Sequence, residues 1–103
     1  MSERSRALHA AVAERLRANP ELVAIARTRV QTWLDDGSVA RPYAEAWRVL
    51  LARSLGDTTR ALCEESDRMH DLRQVSPFAG VLDPRTRWRI HREVGERLAH
   101  ETR

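Results

Sequence analysis

Histidine, cysteine and paired carboxylates are the groups in this sequence with reactive potential, and their spacing argues against catalysis. His9, His70, His91 and His100 include no pair four apart, so no helix face presents two imidazoles together. Zinc needs three or four ligands, and the single Cys63 with scattered imidazoles supplies no such set. Cys63 and His70 are seven apart, but a helix break expected at Ser66 removes any shared face. Cys63 therefore reads as a small buried residue rather than a nucleophile. The adjacent carboxylates Asp35-Asp36 and Glu64-Glu65 fall at helix ends or on solvated faces. There is no phosphate loop, Gly-rich dinucleotide turn or Gly-x-Ser-x-Gly elbow. The expectation is a protein with no catalytic residues, no cofactor and no metal.

What is left is surface chemistry. Toward the C-terminus Arg85, Arg89 and Arg92 recur at i, i+4 and i+7, which aligns them on one helix face. Ile90, Val94 and Leu98 form the opposite, inward face, flanked by His91 and Trp88, with Arg87 inside the apolar arc. The stripe reads either as a solvated face trimmed by Arg89–Glu93 and Arg92–Glu96 pairs or as a contact surface. Arginine beside tryptophan is the composition of interface hot spots. Arg87 either snorkels past the core edge, pairs with an acid, or presents charge to a partner. Trp33, Trp47 and Trp88 all sit at helical core spacing and are expected in the core, while Ile25 is expected at the surface. The stretch from Ser76 to Leu82, centred on Phe78, reads equally as a core lid or a docking knob.

A second reading is nucleic-acid binding. Leu51, Ala52, Leu55, Gly56 and Leu62 fall at offsets suited to a helix-turn-helix over residues 48–67. Its recognition helix, Thr58 to Asp67, would carry Arg60 against Glu64, Glu65 and Asp67, a poor charge balance for a groove lined with phosphates.

The elements that must position these groups are all helical, because no alternating β-branched run occurs. Residues 3–18 form a first helix with Leu8, Val12 and Leu16 inward. Asn19 caps a second over 20–36, whose stripe is Leu22, Val23, Ala26, Val30, Trp33 and Leu34; Gly37 ends it in a left-handed conformation. Pro42 opens a third helix to about residue 54, with Tyr43, Ala46, Trp47, Leu50 and Leu51 inward. Gly56 ends it and Asp57 caps a fourth over 57–65. Ser66 caps a fifth over 67–75, with Met69, Leu72 and Val75 inward. Pro77 and Gly80 make the next stretch an ordered turn, and Asp83-Pro84 starts a last helix to about residue 100. The predicted fold is all-α, one domain over 1–103, a small irregular or orthogonal bundle of five or six helices.

Composition agrees. The 103 residues are 42% hydrophobic and 32% charged, which suits one folded domain rather than a disordered chain. All 18 basic residues are arginine, so the sequence pI of about 10.3 reflects groups that do not titrate rather than a large charge, which is only +3. The charge runs +3, −3, +3 over residues 1–34, 35–84 and 85–103, which suits protein partners better than a uniform phosphate-binding face. No apolar run would span a bilayer and the N-terminus lacks a secretion-signal pattern. With one cysteine, the expected compartment is the reducing cytoplasm.

Several stretches together resemble a family of short helical bacterial proteins that are antitoxin-like partners of neighbouring genes. They are Tyr43-Ala44-x-Ala46-Trp47, Leu72-Arg73-Gln74, the turn Ser76-Pro77-Phe78-Ala79-Gly80-Val81-Leu82, and Arg87-Trp88-Arg89-Ile90 with Arg92-Glu93. The resemblance covers most of the chain. It implies a bacterial protein that binds and neutralises a toxin, with regulation of its own operon as a further expectation. The expected contact residues are Arg85, Trp88, Arg89 and Arg92, with Phe78 nearby. The alternatives are a DNA-binding regulator and a structural subunit or homodimer.

Overall fold

The computed structural model describes residues 3–101, and among them six α-helices and no strand are present. They are α1 (Glu3–Ala18), α2 (Val23–Asp36), α3 (Arg41–Leu51), α4 (Leu55–Leu62), α5 (Asp67–Arg73) and α6 (Pro84–Glu101), with one 3₁₀ turn at Pro20–Leu22 between α1 and α2. α2 packs on α3, whereas α1 touches α4, α5 and α6. The all-α bundle predicted from the sequence is the observed fold.

The apolar spacing of each helix explains this arrangement. Val12, Ala13 and Leu16 of α1 meet Ala61 and Leu62 of α4 and Ile90 and Val94 of α6 in one continuous core. Trp47 lies at its centre, fully buried, and its indole N–H donates to the Leu72 carbonyl at 3.2 Å. A buried indole needs that acceptor, so the bond fixes α3 against α5. Two buried threonines are satisfied by backbone: Thr58 donates to the Leu50 carbonyl at 3.0 Å and Thr59 to the Leu55 carbonyl at 2.9 Å.

Helix ends follow ordinary capping chemistry, at positions that partly differ from expectation. Gly37 (φ 69°) closes α2 as predicted, its N–H bonding the Trp33 carbonyl at 3.0 Å. Ser66 caps α5, and Asp83 caps α6 by accepting the Thr86 N–H at 2.7 Å. That bond to the charged form holds the Asp83 carboxyl below the usual carboxylate range. At the third joint, by contrast, Gly56 does not end α3 and Asp57 does not cap α4. α3 stops at Leu51, Ser54 Oγ accepts the Asp57 N–H at 3.1 Å, and Gly56 lies inside the first turn. The Asp57 carboxylate is instead engaged by Arg60. Asn19 makes no cap; its amide turns back to the Arg15 carbonyl at 3.4 Å.

Two inward assignments also change. Tyr43 is exposed, and Ala44 takes the buried place three residues before Trp47. Trp88, expected in the core, is 67% exposed. Among the helices α6 packs chiefly on α1, so its flanking positions stay outside.

Candidate functional site

The outer face of α6 holds the residues expected to make contact. Starting from Trp88, the side chains of Arg92, Arg85 and Arg89 follow within an arc of about 100°. This arc is opposite Ile90 and Val94, which are buried, so the tryptophan stands where no packing force holds it. Arg89 pairs loosely with Glu93 at 3.8 Å. Arg85 and Arg92 make no ion pair within 4.0 Å among the described residues, Arg85 acting on Asp83 only at longer range. Arg92 and Glu96 do not form the ion pair the spacing allows. Four of the five expected residues therefore lie together on one exposed face.

Phe78 does not join them. Its ring is 4% exposed and packs edge-on against Trp47 (centroids 5.8 Å, 77°) and His9 (6.3 Å, 82°). Of the two readings of the turn, core lid is the one the structure bears out, because an aromatic ring gains more from these contacts than from solvent. The turn is fastened at several points. Arg29 donates to the Pro77 and Ala79 carbonyls at 2.9 and 2.7 Å. Gly80 (φ 88°) sits third in a four-residue turn closed by the Val81 N–H on the Phe78 carbonyl at 3.1 Å. That is the type II position which favours glycine.

Beneath the turn lies a polar chain that sequence spacing did not disclose. His9 Nδ1 is 2.7 Å from the Ser5 carbonyl, which only accepts, so Nδ1 carries the proton. Nε2 is then the acceptor for the Ser76 hydroxyl at 2.7 Å. Ser76 Oγ in turn accepts the Phe78 N–H at 3.2 Å. Burial pushes the His9 pKa below its ordinary 6.5, the Ser5 carbonyl opposes that, and Arg73 reinforces it. A serine hydroxyl on a neutral imidazole is the contact used by hydrolases. Here Nδ1–H ends on a carbonyl rather than a carboxylate, and the serine oxygen is already occupied by a backbone N–H. This geometry serves as a brace between α1 and the turn.

The brace borders a cleft of about 440 Å³ walled by α1, the end of α5, the turn and α6. Arg4, Arg73 and Arg87 contribute to its walls, and among the described residues no acidic one does. Arg87, which the sequence put inside the apolar arc, is exposed at the rim without an ion pair among the described residues. Arg73 is 4% exposed, donates to the Leu62 and Glu64 carbonyls at 3.1 and 2.9 Å, and leaves its Nε without a partner. Burial, then Arg6, lower its pKa, while Cys63, Glu64 and Glu65 oppose this from a distance.

The remaining sequence motifs are dispersed. The helix expected from Thr58 to Asp67 breaks between Leu62 and Asp67, so no single recognition helix forms there. Thr58, Thr59, Ala61 and Leu62 are buried, and Arg60 is held by Asp57. Among the described residues no three His, Cys, Asp or Glu side chains are grouped to hold a metal ion, and no helix is long and apolar enough to cross a membrane. Comparison with known protein families, curated proteins and solved structures finds no match to this chain.

Proposed function

We propose that this chain is a small non-enzymatic protein-binding module, antitoxin-like in mode, that acts by covering the surface of an acidic partner protein. The contact is the outer face of α6, with Trp88 as apolar anchor and Arg85, Arg89 and Arg92 around it. The single observation that carries this reading is a tryptophan 67% exposed, on the side of α6 away from the core. Leaving an indole in water costs the stabilisation its burial would bring, and interfaces recover it: tryptophan and arginine dominate their energetic centres. The arginines suit carboxylates, which their planar forks grip in bidentate fashion, and their charge speeds encounter with an acidic surface.

The test is purification of the tagged chain from its source cells at low and high salt, with protein and DNA both identified, beside Trp88→Ala. One stoichiometric protein that survives high salt with the native chain and is lost with Trp88→Ala supports the module. Equal retention of that protein by the variant overturns the assignment to α6. DNA recovered at low salt and lost at high salt would put a DNA-binding regulator in its place.

A further inference from the structure

The cleft beneath the turn is separate from the outer face of α6, and its chemistry points to a different kind of ligand. Its polar groups are biased to one sign. Arg4, Arg73 and Arg87 line it, no carboxylate lines it, and none of the three has an ion pair within 4.0 Å among the described residues. Elsewhere on the molecule some arginines are paired, as Arg6 is with Glu65 at 2.7 Å and Arg97 with Glu3 at 2.6 Å, and others, such as Arg85 and Arg92, have no ion pair among the described residues. Arg4 and Arg87, two guanidiniums without an ion pair at one concavity, raise its positive potential. Arg73 adds to this from within: it is buried, bonded to the Leu62 and Glu64 carbonyls with one N–H unsatisfied, and Glu64 and Glu65 act on it only from a distance. A buried charge of this kind is costly unless an anion approaches it.

Leu8, Val12, Phe78 and Leu82 form the apolar part of the wall, and Ser5, His9, Gln74, Ser76 and His91 add polar groups to it. The volume of about 440 Å³ falls within the range of small-molecule sites, roughly 300–1,000 Å³.

We propose that this cleft binds an amphipathic organic acid, a small molecule with one oxyanion head and an apolar body. Arg4 and Arg87 grip the head, Arg73 supplies a fixed positive field behind it, and Leu8, Val12 and Phe78 seat the body. Carboxylate and phosphate heads share the required chemistry, because a guanidinium fork fits either. Binding here is independent of whether α6 docks a protein.

The experiment uses the full chain labelled with ¹⁵N and three probes on one phenylalkyl scaffold: 4-phenylbutanoate, 3-phenylpropyl phosphate and the neutral 4-phenylbutanamide. Amide shifts at Leu8, Ser76, Phe78 and Gly80 are followed through each titration. Saturable shifts are expected with at least one acid, and the amide is expected to bind at least about tenfold more weakly. The tighter acid identifies the head group. Arg4→Gln and Arg87→Gln change exposed side chains, so both variants are expected to fold, and each is expected to weaken the acid severalfold. Trp88→Ala and Arg92→Gln are expected to leave it unchanged. The proposal is overturned if the amide binds as well as the acids, if neither acid gives saturable shifts by about 10 mM, or if the double Arg4, Arg87 variant binds as the native chain does.

Discussion

The Ser76 hydroxyl donates to His9 Nε2 at 2.7 Å and thereby ties the turn before α6 to the first helix, 67 residues away in the chain. The bond requires a neutral imidazole, and burial lowers the His9 pKa to favour that form. A base whose pKa is lower folded than unfolded contributes stability in full above its unfolded pKa, and loses it as pH falls below that value. Stability to urea is therefore expected to be level from about pH 8 to 7 and to decline below 6.5. Asp36, Glu45 and Asp83 act separately and lower, since their depressed pKa values start from 3.8 to 4.5. NMR titration should place His9 below 6.5, and His9→Gln should remove the decline. A His9 midpoint at or above 6.5 would refute the burial argument.

Phe78 is a core residue carried on a loop, and its loss should be felt globally. Phe78→Ala is expected to cost about 3–5 kcal/mol, the usual range for a buried aromatic. In a domain of this size that lowers Tm by more than about 12 °C. Arg29→Ala removes both hydrogen bonds to the turn but leaves the ring in place, so the expected cost is smaller, about 1–3 kcal/mol. Calorimetry of the two variants orders them; a larger loss for Arg29→Ala would mean the arginine, not the ring, holds the turn.

Three glycines should respond to alanine with opposite signs. Gly37 and Gly80 have φ of 69° and 88° and no atom within 4 Å of an added Cβ, so the penalty is conformational, about 1–2 kcal/mol each. Gly56 lies inside α4 with only the Arg60 side chain near, at 3.8 Å, and alanine there is expected to stabilise by up to about 1 kcal/mol. Urea midpoints of the three variants test this directly, and a destabilised Gly56→Ala would contradict it.

The tryptophans should separate by fluorescence. Trp88 is expected to emit at long wavelength and to be quenched freely by iodide, whereas Trp47 is shielded in the core. Trp88→Ala should remove the most quenchable component, leaving the weaker contribution of half-buried Trp33, and change stability by less than about 0.5 kcal/mol. Trp47→Ala should cost about 3–5 kcal/mol. If iodide quenches the Trp88→Ala variant as strongly as the native chain, the exposed indole has been misassigned.

Much of the fold was readable because helices announce themselves locally. The i, i+3, i+4 recurrence of apolar residues located the stripes of α1, α2 and α6, and Ser66, Gly37 and Asp83 marked ends whose chemistry lies within four residues. Misplaced boundaries arose where two nearby groups compete for one role. Ser54 and Asp57 are both fit to cap α4, and only the folded backbone shows that the serine accepts the N–H while the aspartate meets Arg60. The arginine stripe on α6 was legible for the same local reason: periodicity aligns Arg85, Arg89 and Arg92 whatever packs behind them.

Trp88 and the cleft were settled only in three dimensions. Periodicity gives the direction in which a side chain leaves its helix, but whether another helix covers that direction depends on elements far away in the chain. α1 covers one side of α6 and leaves Trp88 in solvent. His9, Ser76 and Arg73 are polar residues from three segments with no common spacing. What they share is a desolvated place, and desolvation is a property of the assembled bundle: it decides that His9 is neutral, that Arg73 is an unpaired cation, and that the concavity beside them is positive.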